Sequence, residues 1–395
     1  MIMKQSKKPI YLDNHATTPV DPRVASVMAP YFTEKFGNPH SGSHYYGWEA
    51  AEAVEVAREQ VAKIINAEPG EILFTSGATE ANNLAIKGLA RFHRDQRNHI
   101  VTVVTEHMCV LDSCFQLEKE GFDVTYLHVE LDGLLDLDNL KAAITPNTVL
   151  VSIMTVQNEI GTIQPMAEIG TICRERRVFL HTDAAQAIGK IPVDVKAMKI
   201  DLLSLTGHKI YGPMGIGALY VGKSPKVRLE PLFSGGGQES GWRSGTLATA
   251  LCVGLGKTMK LAGEEMTDDS ERLTILRDHM WQCLSGALQG LVLNGSLQQR
   301  VSVNLNFSVE GADAESLMAA MPGLAVSSGS ACSSVSEDSS HVLKSIGLSS
   351  ELAEASLRIG LGRFTTAEDV EMAIDQLTYA VTTVRNGRRE IAAAE

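Results

Sequence analysis

The chain has 395 residues, 44% hydrophobic and 21% charged, and its 35 Lys and Arg against 47 Asp and Glu give a formal net charge of −12. That length and apolar content suit a globular protein of two or three domains and exclude the disordered, collagen-like and fibrous classes. The acidic balance argues against holding nucleic acid or an anionic membrane through general electrostatics, which needs an excess of Lys and Arg; an acidic partner has to meet a local basic patch.

Residues 1–10 carry lysines but no apolar h-region, and no run reaches the roughly eighteen apolar residues of a membrane span. The six cysteines, Cys109, Cys114, Cys173, Cys252, Cys283 and Cys332, show no pairwise framework and no C-x-x-C spacing, so neither disulfides nor a metal site is expected. The expectation is a cytoplasmic chain in a reducing compartment, neither exported nor inserted.

No internal repeat or low-complexity block is visible. Val54, Ala57, Val61, Ile64 and Ile65 keep helical spacing and predict a long helix leading into the core. Seven short β-branched runs follow, at 71–76, 99–104, 124–129, 148–154, 178–182, 201–206 and 216–221. Helical patterns at 80–94 and 166–177 separate several of them, which predicts an α/β fold with a largely parallel sheet. The last two runs are close enough to form a hairpin. The glycine-rich stretch 234–245 (SGGGQESGWRSG) has to turn sharply or approach something closely. Beyond it, a helical segment around 251–277 leads into a smaller α+β unit, in which 301–307 alternates like a strand. Val370, Ala373, Ile374, Leu377, Ala380, Val381 and Val384 form one apolar helix face, with Thr365 and Glu368 as its capping box.

Three segments carry chemistry. The first is Thr206-Gly207-His208-Lys209-Ile210-Tyr211-Gly212-Pro213, where a lysine stands between a predicted strand and a Gly/Pro-rich loop. Most lysines are simply solvated, but the neighbours of this one mark a held group. The second is His181-Thr182-Asp183-Ala184-Ala185-Gln186, where Asp183 closes an apolar strand at the carboxyl edge of the sheet and Gln186 follows one turn later. A carboxylate there either caps the next helix or pairs with a cation. With a downstream lysine it fits pyridoxal 5'-phosphate (PLP): the lysine as Schiff base, the aspartate keeping the pyridine nitrogen protonated. The third, Thr75-Ser76-Gly77-Ala78-Thr79-Glu80, follows a strand and opens a helix, so its N–H groups and the Thr79 hydroxyl face an incoming anion.

With Tyr11–Pro19, Gly37-Asn38-Pro39-His40-Ser41, Thr105-Glu106-His107, Asn158-Glu159-Ile160-Gly161, Arg243-Ser244-Gly245-Thr246 and Ser327–Cys332, these segments resemble the NifS/IscS-type cysteine desulfurases. That family is the class V aminotransferase-like branch of the fold type I PLP enzymes, and the likeness runs in order from Tyr11 to about Thr366. It implies a large PLP-binding domain at 16–262, with a mostly parallel seven-stranded sheet, and a small α+β domain formed by 1–15 and 263–395 that carries the Cys332 loop.

The resemblance also implies roles. Lys209 would carry the cofactor, Asp183 would pair the pyridine nitrogen, Gln186 would hydrogen-bond the ring phenolic oxygen, and His107 would stack on the ring and shuttle protons. Ala78 N–H, Thr79, Thr206 and His208 would hold the phosphate, with Thr246 reaching it from the partner subunit of a homodimer. Asn158, Arg358 and Asn38 would bind the substrate; a guanidinium fork suits a carboxylate, and Arg363 is a rival five residues on. Cys332 lies in a run of small polar residues without an apolar face, which reads as a mobile loop carrying a reactive thiol. The other five cysteines read as helix or core residues.

The implied reaction converts L-cysteine to L-alanine, with the Cys332 thiolate taking the sulfur as a persulfide and the loop delivering it to an acceptor protein for iron–sulfur cluster assembly or another sulfur-containing product. The departures are few: Thr206 stands where many members have serine, Met108-Cys109 where they have Lys-Ala, and the chain ends without the tail that housekeeping members use to dock a scaffold. Selenocysteine lyase or another class V activity is the alternative within enzymes. A catalytically silent interaction platform is the alternative outside them, and it gives no reason for Lys209, Asp183, His107, Arg358 and Cys332 to occur together.

Overall fold

The computed structural model describes residues 8–328 and 339–394. Its first strand, β1 (Ile10–Tyr11), is followed by β2 (Ile72–Thr75), β3 (His99–Val103), β4 (Asp123–Leu127), β5 (Thr148–Ser152), β6 (Phe179–Asp183), β7 (Leu202–Thr206) and β8 (Gly217–Val221). The last seven are the seven predicted runs, and they form one sheet in the order β2-β8-β7-β6-β5-β3-β4. β8 runs antiparallel to both neighbours, and the remaining pairs are parallel. The hairpin expected from the last two runs therefore lies inside the main sheet.

Strands β3, β5, β7 and β8 are buried along their whole length. Successive side chains alternate between faces: Val101, Val151, Leu203 and Leu205 join one apolar cluster, while Ile100, Leu150, Leu202 and Leu219 join another. A sheet covered on both sides needs near-continuous apolar strands rather than alternating ones. The helix Tyr45–Ile64 buries Val54, Ala57 and Val61 as its spacing predicts and packs on the long helix Thr249–Ala287. The 80–94 pattern is helical from Ala78 to His93, with a π turn at Leu84–Gly88 that the periodicity does not announce.

Beyond the long helix come β9 (Leu291–Leu293), β10 (Asn304–Val309), β11 (Leu324–Ala325), β12 (Ser327–Ser328) and β13 (Ser356–Gly360). They build a four-stranded sheet β12-β13-β10-β9, while β1 pairs with β11. β10 starts three residues later than the alternation at 301–307 suggests. Val301 N bonds Gly161 O and Asn304 N bonds Val301 O, so the chain turns before the ladder begins. Leu305, Phe307, Leu357 and Ile359 belong to the same cluster as Val101 and Leu203, so one core joins the two sheets.

The last helix, Ala367–Ala394, buries Val370, Ala373, Leu377, Ala380 and Val381. Its capping box lies one residue beyond the expected pair. Asp369 N donates to Thr366 Oγ1 at 3.1 Å and Thr366 N to Asp369 Oδ2 at 3.0 Å, whereas Thr365 Oγ1 accepts from Gly362 N at 2.9 Å. No described helix is long and apolar enough to cross a membrane.

Candidate active site

The carboxyl ends of parallel strands are where α/β sheets place ligands, and a cleft of about 520 Å³ opens there. It is lined by Lys209, Asp183, Gln186, His107, Ala78, Thr79, Thr206, His208 and Asn158, which the structure thus brings together from five separate segments.

Asp183 ends β6 and is 4% exposed. It caps no helix, because the chain continues in turns. Its Oδ1 accepts from Ala185 N at 2.9 Å and its Oδ2 from Asn82 Nδ2 at 2.7 Å. Asn82 is fully buried on the helix Ala78–Asn83 and was not singled out by the sequence motifs. Gln186 Nε2 donates to His15 O at 2.9 Å, and its Oε1 accepts from Lys190 Nζ at 2.5 Å. Burial, then the charges of Lys209 and Arg358, pulls the Lys190 ammonium down to about 7, another feature invisible in the motif.

The turn that carries Lys209 is fastened by the chain's beginning. His208 O accepts from Thr18 N at 2.8 Å and from Thr18 Oγ1 at 3.0 Å, and Tyr211 N donates to Thr18 Oγ1 at 2.7 Å. Burial and the neighbouring Lys209 and Lys190 lower His208 to about 4, so its imidazole is neutral; Nδ1 lies 3.2 Å from Thr17 Oγ1.

His107 caps the helix Met108–Lys119, accepting from Cys109 N on Nδ1. Burial lowers its pKa most strongly, with Asp183 opposing. Beside it Glu106 is fully buried, and burial followed by the Asp183 charge pushes its carboxyl well above the usual carboxylate range. One of its oxygens accepts from Met154 N and the other has no partner among the described residues.

The loop 75–80, the expected phosphate cradle, turns on Gly77. Gly77 adopts φ 153° and ψ −179°, a region open essentially to glycine alone, and a Cβ there would meet Thr206 Oγ1 at 3.8 Å. Glu80 closes the loop by accepting from Ser76 N at 2.7 Å and from Arg243 Nε at 2.8 Å. That last bond ties the glycine-rich stretch to the cradle.

The substrate candidates divide. Asn158 lines the cleft. Arg358, on β13 and 1% exposed, donates from Nη1 to Asn158 O at 3.1 Å and from Nη2 to Asp13 at 3.0 Å, leaving Nε without a partner among the described residues. Arg363 is instead committed to Asp21, Glu265 and Asp269 and stacks on the Tyr211 ring at 4.6 Å. Asn38 is exposed, does not line the cleft and accepts from His40 N at 3.0 Å. Thr246 is exposed and does not line this chain's cleft.

Cys332 lies outside the described residues. The flanks of its segment are fixed beside the site. Ser327 pairs with Arg358 across β12 and β13, Ser340 Oγ donates to Glu159 at 2.6 Å, and His341 Nε2 sits 3.1 Å from Glu106 O. Of the other cysteines, Cys114, Cys173 and Cys252 are buried as expected. Cys109 lies on a helix as read, and because it falls on the first turn of the helix that His107 caps it also lines the cleft.

The profile of the class-V aminotransferases matches residues 10–372. The chain is 55% identical over 377 residues to cysteine desulfurase IscS of Rickettsia rickettsii (strain Iowa), covering 95% of this chain and 92% of that protein. Among solved structures, a NifS-like protein superposes with a TM-score of 0.88 at 34% identity, covering 95% of this chain and all of the other. SspA in complex with cysteine superposes with a TM-score of 0.80 at 41% identity, covering 90% and 99%. The chain therefore belongs to the class-V aminotransferase family, in its NifS/IscS-type branch.

Proposed function

We propose that the chain is a PLP-dependent cysteine desulfurase that converts L-cysteine to L-alanine and passes the sulfur, as a persulfide on Cys332, to an acceptor protein that serves iron–sulfur cluster assembly or another sulfur-containing product. The observation that carries this reading is the meeting of Lys209, buried Asp183 and His107 in one cleft with a glycine-lined anion cradle. The donor set fits PLP at each end: an amine for its aldehyde, a carboxylate for its ring nitrogen, and N–H and hydroxyl groups for its phosphate. When bound, PLP supplies an electron sink that lets a Cα proton leave.

The chain's own residues do the rest. Asp183, oriented by Asn82 and Ala185 N, would keep the ring nitrogen protonated. Ala78 N–H, Thr79, Thr206 and His208 would hold the phosphate, and Gln186 would face the phenolic oxygen. Arg358 and Asn158 would receive the substrate carboxylate. His107 would lie over the ring and move a proton, and the Cys332 thiolate would take the sulfur, which requires the reducing cytoplasm.

A homodimer belongs to the same proposal, with Thr246 reaching the partner's phosphate. Its support is an exposed aromatic patch, Phe32, Phe36, Tyr45, Tyr46 and Trp48, of the kind that marks an association surface. The test is reconstitution with PLP, borohydride reduction and peptide mapping. The reduced adduct is expected on Lys209; a protein that takes up no PLP, or an adduct on another lysine, contradicts the reading.

A further inference from the structure

We infer that Cys109 is a positioning residue for His107: its thiol donates to Nδ1 and holds the imidazole as the tautomer with the proton on Nε2, presented to the cleft. The inference rests on the reading of His107 as the group over the cofactor, and it concerns a position where this sequence departs from the Lys-Ala that follows the histidine in housekeeping members.

The argument is one of hydrogen-bond direction. Cys109 backbone N–H donates to His107 Nδ1 at 3.2 Å, so that nitrogen offers a lone pair and carries no proton. Cys109 Sγ lies 3.0 Å from the same Nδ1 and 3.1 Å from Asn82 Nδ2. The Asn82 amide nitrogen only donates, so the sulfur accepts there and directs its own proton to Nδ1. Asn82 Nδ2 also donates to Asp183 Oδ2 at 2.7 Å. Asn82 thus donates in two directions, to Asp183 and to Cys109, and Cys109 donates onward to His107. A single polar chain links the partner of the ring nitrogen to the group over the ring. His107 Nε2 has no partner among the described residues, and the ring lines the cleft.

The surroundings keep this arrangement. Burial, reinforced by the Asp183 charge, pushes the Cys109 thiol up to about 12, so it stays a donor through the neutral range. Around His107, Asp183 and Asp112 favour the charged imidazolium, while Lys209 and His341 oppose it, and burial decides for the neutral ring. The thiol and the Cys109 N–H share the single Nδ1 lone pair, and protonation of Nδ1 would have to displace both.

The test is imidazole ¹⁵N NMR of His107 in the full-length chain, without and with PLP, comparing wild type, Cys109→Ala and Cys109→Ser across pH. Wild type should show an unprotonated Nδ1 and a protonated Nε2. Cys109→Ala keeps the backbone N–H on Nδ1 but removes the thiol donor, so the tautomer balance should move toward Nδ1–H and the His107 titration midpoint should rise by up to about one unit, and Cys109→Ser, which keeps a side-chain donor, should restore both. A wild-type His107 protonated on Nδ1, or tautomer and midpoint unchanged in Cys109→Ala, overturns the inference. The signal is read without PLP as well, so failure of PLP to bond Lys209 would overturn the functional reading and leave the tautomer result standing.

Discussion

Arg358 and Asp13 form a 3.0 Å ion pair that joins β13 to the segment after β1 and holds a guanidinium with 1% exposure. Nη1 is used on Asn158 O, and Nε remains a buried donor without a partner among the described residues. An oriented positive charge with a spare donor beside Asn158 matches a carboxylate.

Arg358→Gln should therefore raise KM for L-cysteine about tenfold to a hundredfold, the equivalent of one charge-assisted hydrogen bond of about 1.5–3 kcal/mol. PLP absorbance should stay at the wild-type level. Steady-state kinetics on PLP-titrated protein make the measurement, and an unchanged KM removes Arg358 from the substrate site.

Glu159 gives a pH prediction. It is 4% exposed, and burial pushes its carboxyl from an ordinary 4.5 up to about 7, against the lowering effects of the Ser340 hydrogen bond and the Arg358 charge. With the folded value raised, the unfolded chain loses its proton first. The stability tied to the neutral carboxyl is fully present below about 4.5 and is lost as pH rises to about 7. A shift of that size corresponds to on the order of 3 kcal/mol. Glu159→Gln should gain on wild type across that window in denaturant unfolding at a series of pH values, although Glu106 keeps a slope of the same sign. Parallel profiles for the two proteins would sink this account of Glu159.

The glycine-rich stretch is anchored by Glu239, whose carboxylate takes Arg58 at 2.7 and 2.9 Å and Phe74 N at 2.7 Å. Arg58 also lies over the Phe74 ring at 4.8 Å. Glu239→Ala leaves the buried guanidinium with only the exposed Glu55 carboxylate and Ile72 O as partners and should cost about 3 kcal/mol. Adding Arg58→Met should recover part of the loss. Equilibrium unfolding checks both, and a cost below about 1 kcal/mol would place the pair with exposed ion pairs.

What the sequence made legible follows from locality. Most strands of the main sheet are largely apolar runs, Asp183 ends one and Lys209 follows another by three residues, so a linear pattern exposes them. Asn82 and Lys190 reached the site unannounced, and Thr18 and Cys109, though named in or beside motifs, came without a role. Asn82 meets Asp183 across 101 positions and Thr18 meets Tyr211 across 193, and no spacing rule encodes such meetings. Glu239 is one carboxylate in a glycine-rich stretch until Arg58 comes against it. The capping box slipped by one residue because adjacent threonines and adjacent acids satisfy both registers, and Thr365 was taken by Gly362 N. Asn38 and Thr246 were named from motif alone, and both stand on the outside of a single chain.

The claim that this chain moves sulfur through one cysteine is tested most directly by intact-protein and peptide mass spectrometry after L-cysteine is added to the PLP-loaded protein. The account predicts one added sulfur on Cys332, with one alanine released per persulfide formed, and neither in Cys332→Ser that still binds PLP. Undiminished alanine and sulfide from Cys332→Ser, or the added sulfur on another cysteine, would contradict it.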